Sequence, residues 1–277
     1  MSANQQIKKY PKHQMLTRVM QMPAGYVDDW HAHSWHQIIF PLKGLLQSKL
    51  RLNSQEKLQN RLELVKTKSF IVPHNGILYI PANTAHKSVA VTNTEFMSIY
   101  LNPNENIVSS IINYSKNQKS CLLTPLLKAL IIQLFNESFS QQPESIITNH
   151  LRVLRDQIAI ATSYEIPLLM PQDRRLLAIF TALQQQPDLP LTLADWAIKV
   201  GASQRTLSRI CAKEFDQSFS LWRRNIKLVL SLQLLEKQVP IQDIAMDLGY
   251  KSDSAYIYAF KGLFTQTPSK YRKNYLL

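Results

Sequence analysis

The spacing of apolar residues changes character along the 277-residue chain. Between residues 13 and 101 the apolar runs are short and β-branched: Gln37-Ile38-Ile39-Phe40, Phe70-Ile71-Val72-Pro73, Gly76-Ile77-Leu78-Tyr79-Ile80 and Ser88-Val89-Ala90-Val91. Turn residues punctuate them, as in Pro73-His74-Asn75-Gly76 and Pro81-Ala82-Asn83. Many short strands divided by such turns predict a sandwich or barrel. From Leu122 the spacing becomes helical. Leu126, Leu127, Leu130, Ile131 and Leu134 predict one helix, and Ile147, Leu151, Leu154, Ile158 and Ala161, at alternating steps of four and three, a second. Pro143 separates the two, and Pro167 and Pro171 mark a linker into a helical part beginning near Asp173. An α+β multidomain protein follows, divided at 1–120, 121–169 and 170–277.

The last part repeats itself. Asp195, Ala197 and Gly201 match Asp243, Ala245 and Gly249, all 48 positions on. Phe215, Gln217, Ser220 and Arg223 then match Phe264, Gln266, Ser269 and Arg272, all 49 on, so one residue is inserted after the second glycine. This is an internal duplication of a unit of about fifty residues. Each copy reads as helix, glycine turn, helix. Leu193, Trp196, Ala197 and Val200 form the first stripe; Gly201 ends it, Ser203 caps the next helix, and Leu207, Ile210 and Phe215 face inward. The second copy has Ile241, Ile244, Ala245 and Leu248, then Gly249, Ser252, Tyr256, Phe260 and Phe264. The small alanine lets the two helices cross closely, as in a helix-turn-helix whose second helix enters the DNA major groove; the bland alternative is a hairpin in a helical bundle.

Charge sharpens this only slightly. A net charge of +13 suggests a polyanionic partner, but it is spread evenly: 15 Lys+Arg face 9 Asp+Glu from Met170 on, and 17 face 10 before it. Cys121 and Cys211 have no paired spacing, and no leader-like or membrane-spanning run is visible. The expectation is a soluble protein of the cytoplasm, associated with the nucleoid, with two unpaired thiols.

The duplicated segments carry a resemblance. Residues 191–215, followed by 240–275, resemble the DNA-binding domain of AraC/XylS-family bacterial transcription regulators, over about the last hundred residues. The resemblance implies two helix-turn-helix units joined by a long helix, here about Leu221 to Lys237, setting two recognition helices in successive major grooves about 34 Å apart. Two departures stand out: the family's usual glycine after each second helix is replaced by Gln217 and Gln266, and the arginine often found at Tyr258 is absent. The helical pattern exposes Gln204, Arg205, Ser208 and Arg209 in the first copy, and Asp253, Ser254, Ile257, Tyr258 and Lys261 in the second. Arg205, Arg209 and Gln204 are the preferred base readers, because Arg matches guanine and Gln adenine bidentately. Tyr258 would meet a thymine methyl or a phosphate. Arg223, Arg224, Lys227, Lys270, Arg272 and Lys273 either hold the DNA backbone or are simply solvated.

Residues 25–44 hold three of the seven histidines within six positions. Gly25, His31-x-His33, Gln37 and Gly44 resemble the first motif of the cupin proteins, with glutamine for the usual glutamate. Gly76, Pro81-x-Asn83 and His86 resemble a reduced second motif. The resemblance implies a cupin-like β-barrel as effector domain. In metal-binding cupins the positions of His31, His33, Gln37 and His86 hold the ion. Strand alternation independently puts residues 31, 33 and 37 on one side and His36 on the other. Two or three imidazoles and an amide oxygen suit Zn, Ni, Fe or Mn, although the missing carboxylate weakens hard cations. Metal binding, metal-free binding of a small molecule and a purely structural role all stay open. Trp30, Trp35 and Tyr79 would line an effector pocket where they point inward.

A DNA-binding regulator that senses a small molecule or metal accounts for both halves. The alternative, a metal-dependent cupin enzyme with a helical accessory domain, leaves the duplication without a role, and no acid–base pair stands near the histidines. Further expected partners are RNA polymerase for an activator and a second copy of the chain, through a seam formed by Ile147, Leu151, Leu154 and Ile158; the alternative is that this stripe packs on its own barrel.

Overall fold

The computed structural model describes residues 2–51, 67–74, 76–103, 119–136, 141–161, 163 and 170–275. The chain forms two compact units, Met1–Glu165 and Ile166–Leu277. The first is rich in β-sheet and the second is helical.

The first unit opens with helix α1 (Ala3–Lys9), which the apolar pattern did not announce; Ser2 caps it through a capping box with Gln5. The described strands are β1 (Met15–Met22), β2 (Val27–His31), β3 (His36–Lys43), β4 (Leu45–Arg51), β5 (Thr67–Pro73), β6 (Gly76–Ile80), β7 (His86–Ala90), β8 (Thr94–Leu101) and β9 (Lys119–Leu122). They build a five-stranded sheet in the order β1-β8-β3-β6-β9 and a four-stranded sheet in the order β2-β7-β4-β5, with antiparallel pairing throughout. Alternation along each strand gives the sheets an inner and an outer face. Met22, Ile39, Leu78 and Phe96 of the first sheet meet Leu46, Phe70, Val72 and Ala90 of the second in one buried layer.

Helices α2 (Pro125–Leu134) and α3 (Glu144–Ile160) cover the outer face of the five-stranded sheet. Leu127, Ile131, Leu151, Leu154 and Ile158 bury against Ile38, Phe40, Ile77, Tyr79 and Ile99, and Ile147 packs at the edge. This corrects the expected dimer seam: the stripe of α3 is consumed inside its own unit, where covering a sheet face removes more apolar area from water than a narrow helix pair would. Pro167 of the expected linker lies outside the described residues.

The second unit contains α4 (Arg174–Gln185), α5 (Leu193–Lys199), α6 (Gln204–Phe215), α7 (Phe219–Glu236), α8 (Ile241–Asp247), α9 (Asp253–Phe264) and α10 (Pro268–Tyr275). The duplication is visible as equal helices: α5 and α8 have 7 residues each, and α6 and α9 have 12 each. Ser203 and Ser252 cap α6 and α9 by accepting from the N–H three residues on. Gly201 and Gly249 turn the chain between the helices at φ +64° and +68°. The connector α7 starts at Phe219, two residues before the expected Leu221, because Ser218 caps it.

The left-handed positions after α6 and α9 are Asp216 (φ 54°) and Thr265 (φ 61°), not Gln217 and Gln266. Glycine takes this conformation freely, whereas a β-branched residue is strained there by about 1–3 kcal/mol.

Candidate functional site

In the second unit the first helix of each pair is buried along one stripe, which fixes the outward face of its successor. Trp196 and Ala197 of α5 are buried, as are Leu207, Ile210, Cys211 and Phe215 of α6. What remains outside on α6 is Gln204, Arg205, Ser208 and Arg209, all exposed. Arg205 and Arg209 stand one helical turn apart on one face, four residues being close to a turn. Leu207 and Ile210 thus anchor a cationic edge.

On α9, Tyr256, Phe260 and Phe264 are buried and stack into a cluster with Tyr271. Asp253, Ser254, Tyr258 and Lys261 are exposed, while Ile257 is half-buried. Tyr258 leaves 83% of its surface in solvent. The second face is less cationic than the first, and Asp253 at its start accepts a hydrogen bond from the Ser254 N–H at 2.7 Å.

Lys270 and Lys273 on α10 and Arg224 on α7 are exposed. Arg223 and Arg272, expected either to hold the DNA backbone or to be solvated, are engaged within the unit. Both are half-buried. Arg223 donates to the Leu189 and Leu191 carbonyls, and Arg272 donates to the Val239 carbonyl. Each arginine, 49 residues from its counterpart, ties a helix to the loop that leads into the first helix of its own copy. Lys227 likewise donates to the Leu248 carbonyl at 2.7 Å, and burial, then the charge of Arg223, lowers its pKa to about 8.

In the first unit, the structure brings His31, His33, Gln37 and His86 together. The ring centroids are 4.2 Å apart for His31–His86, 5.1 Å for His33–His86 and 6.3 Å for His31–His33. Each of the three imidazoles directs Nδ1 at a backbone carbonyl, of Asp29, Trp35 and Thr84 respectively. Burial holds His33 below its ordinary pKa and pushes His86 down to about 3, so both are neutral at pH 7. His33 Nε2 lies 3.0 Å from the Gln37 Oε1. At the other end of the amide the Gln37 NH₂ donates to the Ser98 and Tyr100 hydroxyls, at 3.0 and 3.2 Å.

As placed, the three imidazoles do not have the spacing of a tetrahedral zinc site. Two imidazoles on one tetrahedral zinc have centroids about 5 Å apart, so the His31–His33 spacing is too wide. Among the described residues no group of three or more His, Cys, Asp or Glu could hold a metal ion.

His36 points to the other face, as its parity required. Its Nδ1 accepts from the Tyr79 hydroxyl at 2.7 Å and from the Ala82 N–H at 3.1 Å, and burial lowers its pKa to about 4. Tyr79 therefore belongs to the helix-covered outer core and not to an effector pocket. Trp35 is buried beside α1 with Ile7 and Tyr100, and Trp30 is half-buried under Arg51, whose guanidinium lies 4.8 Å from its ring. The three expected lining aromatics thus sit in different places, because neighbouring strand residues face opposite ways. Ser98 and Tyr100 are the polar partners that sequence reading missed. Their shared parity with Phe96 along β8 was the available signal.

A basic, exposed second helix on a duplicated scaffold defines a DNA-binding protein. The profile of a family described as helix-turn-helix domain matches residues 196–274. The regulatory protein SoxS of Escherichia coli K12 is 35% identical over 91 residues, covering 32% of this chain and 85% of SoxS. The transcriptional regulator NimR of Escherichia coli K12 is 27% identical over 207 residues, covering 75% of this chain and 74% of NimR. Among solved structures, ToxT of Vibrio cholerae aligns at 12% identity with a TM-score of 0.38, covering 94% of this chain and 98% of ToxT. The chain belongs to the AraC/XylS family and is a DNA-binding transcription regulator. No described helix is long and apolar enough to cross a membrane.

Proposed function

We propose that this regulator reads DNA through two helix-turn-helix units, α5–α6 and α8–α9, entering successive major grooves. The observation that carries this is the pairing of equal helices with the same serine cap and glycine turn, each second helix having an exposed polar face. Arg205 and Arg209 read guanine, Gln204 reads adenine, and Tyr258 meets a thymine methyl or a phosphate. Ser208, Ser254, Lys261 and Lys270 hold the backbone. Binding selection on random DNA, with the wild type and with Arg209→Ala, tests the assignment. The variant loses about 1–3 kcal/mol at one base pair. Equal loss on selected and random DNA contradicts it.

We read the first unit as a cupin-like barrel that senses a metal-free small molecule. Support comes from its inner layer, where His33, Gln37, Ser48, His86, Ser88 and Ser98 are buried among apolar residues. Such a layer costs folding free energy and needs hydrogen-bonding partners; neutral imidazoles, an amide and hydroxyls suit a polar, uncharged ligand. Metal analysis of the purified protein, run beside melting curves with candidate ligands, checks this: one equivalent of metal overturns it. A regulatory reading also explains the duplicated helices, which an enzyme would leave idle. The expected setting is the bacterial cytoplasm and nucleoid, with RNA polymerase as partner for an activator. A second copy would meet the outer side of α3, where Ile146, Val153 and Ile160 are exposed at steps of seven. A monomeric mass at micromolar concentration counts against that dimer.

A further inference from the structure

The second unit has a cavity of about 430 Å³ that the DNA-reading faces do not use. Its walls come from both copies of the duplication. Leu193, at the start of α5, and Phe219, at the start of α7, supply apolar surface, and Tyr250 supplies an aromatic ring from the turn before α9. Arg223 and Arg224, and Lys227 one turn further along α7, supply three positive charges. Among the described residues none of the three forms an ion pair, and Asp188 exerts only a small opposing influence on Lys227.

Two polar atoms at this cavity are buried without a hydrogen-bond partner, Arg223 Nε and Tyr250 Oη. Buried donors left unmade cost free energy, and both are donors. A ligand with an oxyanion would neutralise the excess charge of the cavity wall. The volume is too large for an ion alone and falls within the range of small organic ligands. The seam is also tight. The backbone of Gly249 passes so near Asp188 that an added Cβ would stand 3.1 Å from its Cα, and φ is +68°. Arg223 holds the same 188–191 loop through two carbonyls. An occupant would therefore touch the entrance to α5, the connector and the turn before α9 at once.

We propose that this cavity binds a small organic anion, with an oxyanion head on Arg224 and Lys227 and a body on Leu193, Phe219 and the Tyr250 ring, and that its occupancy changes DNA affinity. The site is independent of any ligand in the first unit. Phenyl phosphate is the probe, titrated calorimetrically into the full chain, with inorganic phosphate and phenol reporting head and body separately. Phenyl phosphate should bind at least about tenfold more tightly than either fragment. Arg224→Gln and Lys227→Met should each weaken it by about fivefold or more; Arg224 is exposed, so its variant reads binding even where Lys227→Met fails to fold.

Affinity should fall between pH 7 and 9.5 as Lys227, which has Arg223, Arg224 and Asp188 as charged neighbours, loses its proton, while Tyr250, raised to about 12 by burial, stays neutral. With DNA bound, the probe affinity should shift by a finite factor of about three or more, matched by the reciprocal shift in DNA affinity. Wild-type affinity in both variants overturns the proposal, and so does an affinity indifferent to DNA. Complete displacement by random-sequence DNA also overturns it, since the cavity would then be a seat for a DNA phosphate.

Discussion

The two units treat their polar clusters in opposite ways. In the first, His33, Gln37 and His86 turn inward, lose their water and stay neutral. In the second, Arg205 and Arg209 turn outward on a helix whose other side is packed, and remain available to a polyanion. Inward groups must satisfy one another, so their chemistry is read from hydrogen-bond partners. Outward groups need only a rigid scaffold, so theirs is read from spacing. The same contrast makes the first unit sensitive to protons and the second sensitive to the geometry of its turns.

Acid should separate the units most strongly. The pKa values of His36 and His86 are lowered to about 4 and about 3, against 6.5 for an unburied histidine. Below pH 6.5 the unfolded chain takes up protons that the folded unit refuses, so stability present above 6.5 is lost as pH falls toward 4. Each histidine contributes on the order of 1 kcal/mol per pH unit in that window. Unfolding followed from pH 7 to 4.5 should therefore show the β-rich unit failing before the helical one; simultaneous loss removes the contrast.

Arg272→Ala comes next, at about 2–3 kcal/mol of stability, because it strips a charged donor from the Val239 carbonyl. Denaturant melts measure it, and Arg223→Ala should cost a similar amount through Leu189 and Leu191. A loss of DNA affinity without a loss of stability would return these arginines to the DNA backbone. Within the reading faces, Arg205→Ala should weaken binding to a selected site by about 1–3 kcal/mol and Tyr258→Ala by less, since α9 carries fewer cations there. Titration of both variants on one duplex ranks them, and the reverse order would make the second copy the principal reader. The smallest effect is a gain: Thr265→Gly should stabilise by about 1 kcal/mol, by relieving the left-handed strain at φ 61°. A lower melting temperature would show that Thr265 gains more from its contacts than it loses to strain.

The duplication made the second unit legible almost to the residue. Ser203, Gly201 and the stripe Leu207–Ile210–Phe215 each imply the next, because helix periodicity and capping are local. What stayed hidden there was long-range: that Arg223 and Arg272 reach carbonyls 32 to 34 positions back. Parity along β3 correctly separated Gln37 from His36, yet it could not say which strand lay opposite either one. Hence it left open whether Tyr79, which hydrogen-bonds His36 across the sheet, points inward, and Ser98 and Tyr100 were overlooked. The apolar stripe of α3 was read correctly as a stripe, but periodicity carries no information on whether a helix covers its own sheet or a neighbour.

Hydroxyl-radical footprinting of the full chain on a selected operator tests most directly whether both second helices read one duplex. Two protected windows should appear on one face of the DNA, their centres about 10 base pairs apart, with Arg209→Ala and Tyr258→Ala each thinning a different window. A single window, or two variants that weaken the same one, would contradict the paired reading.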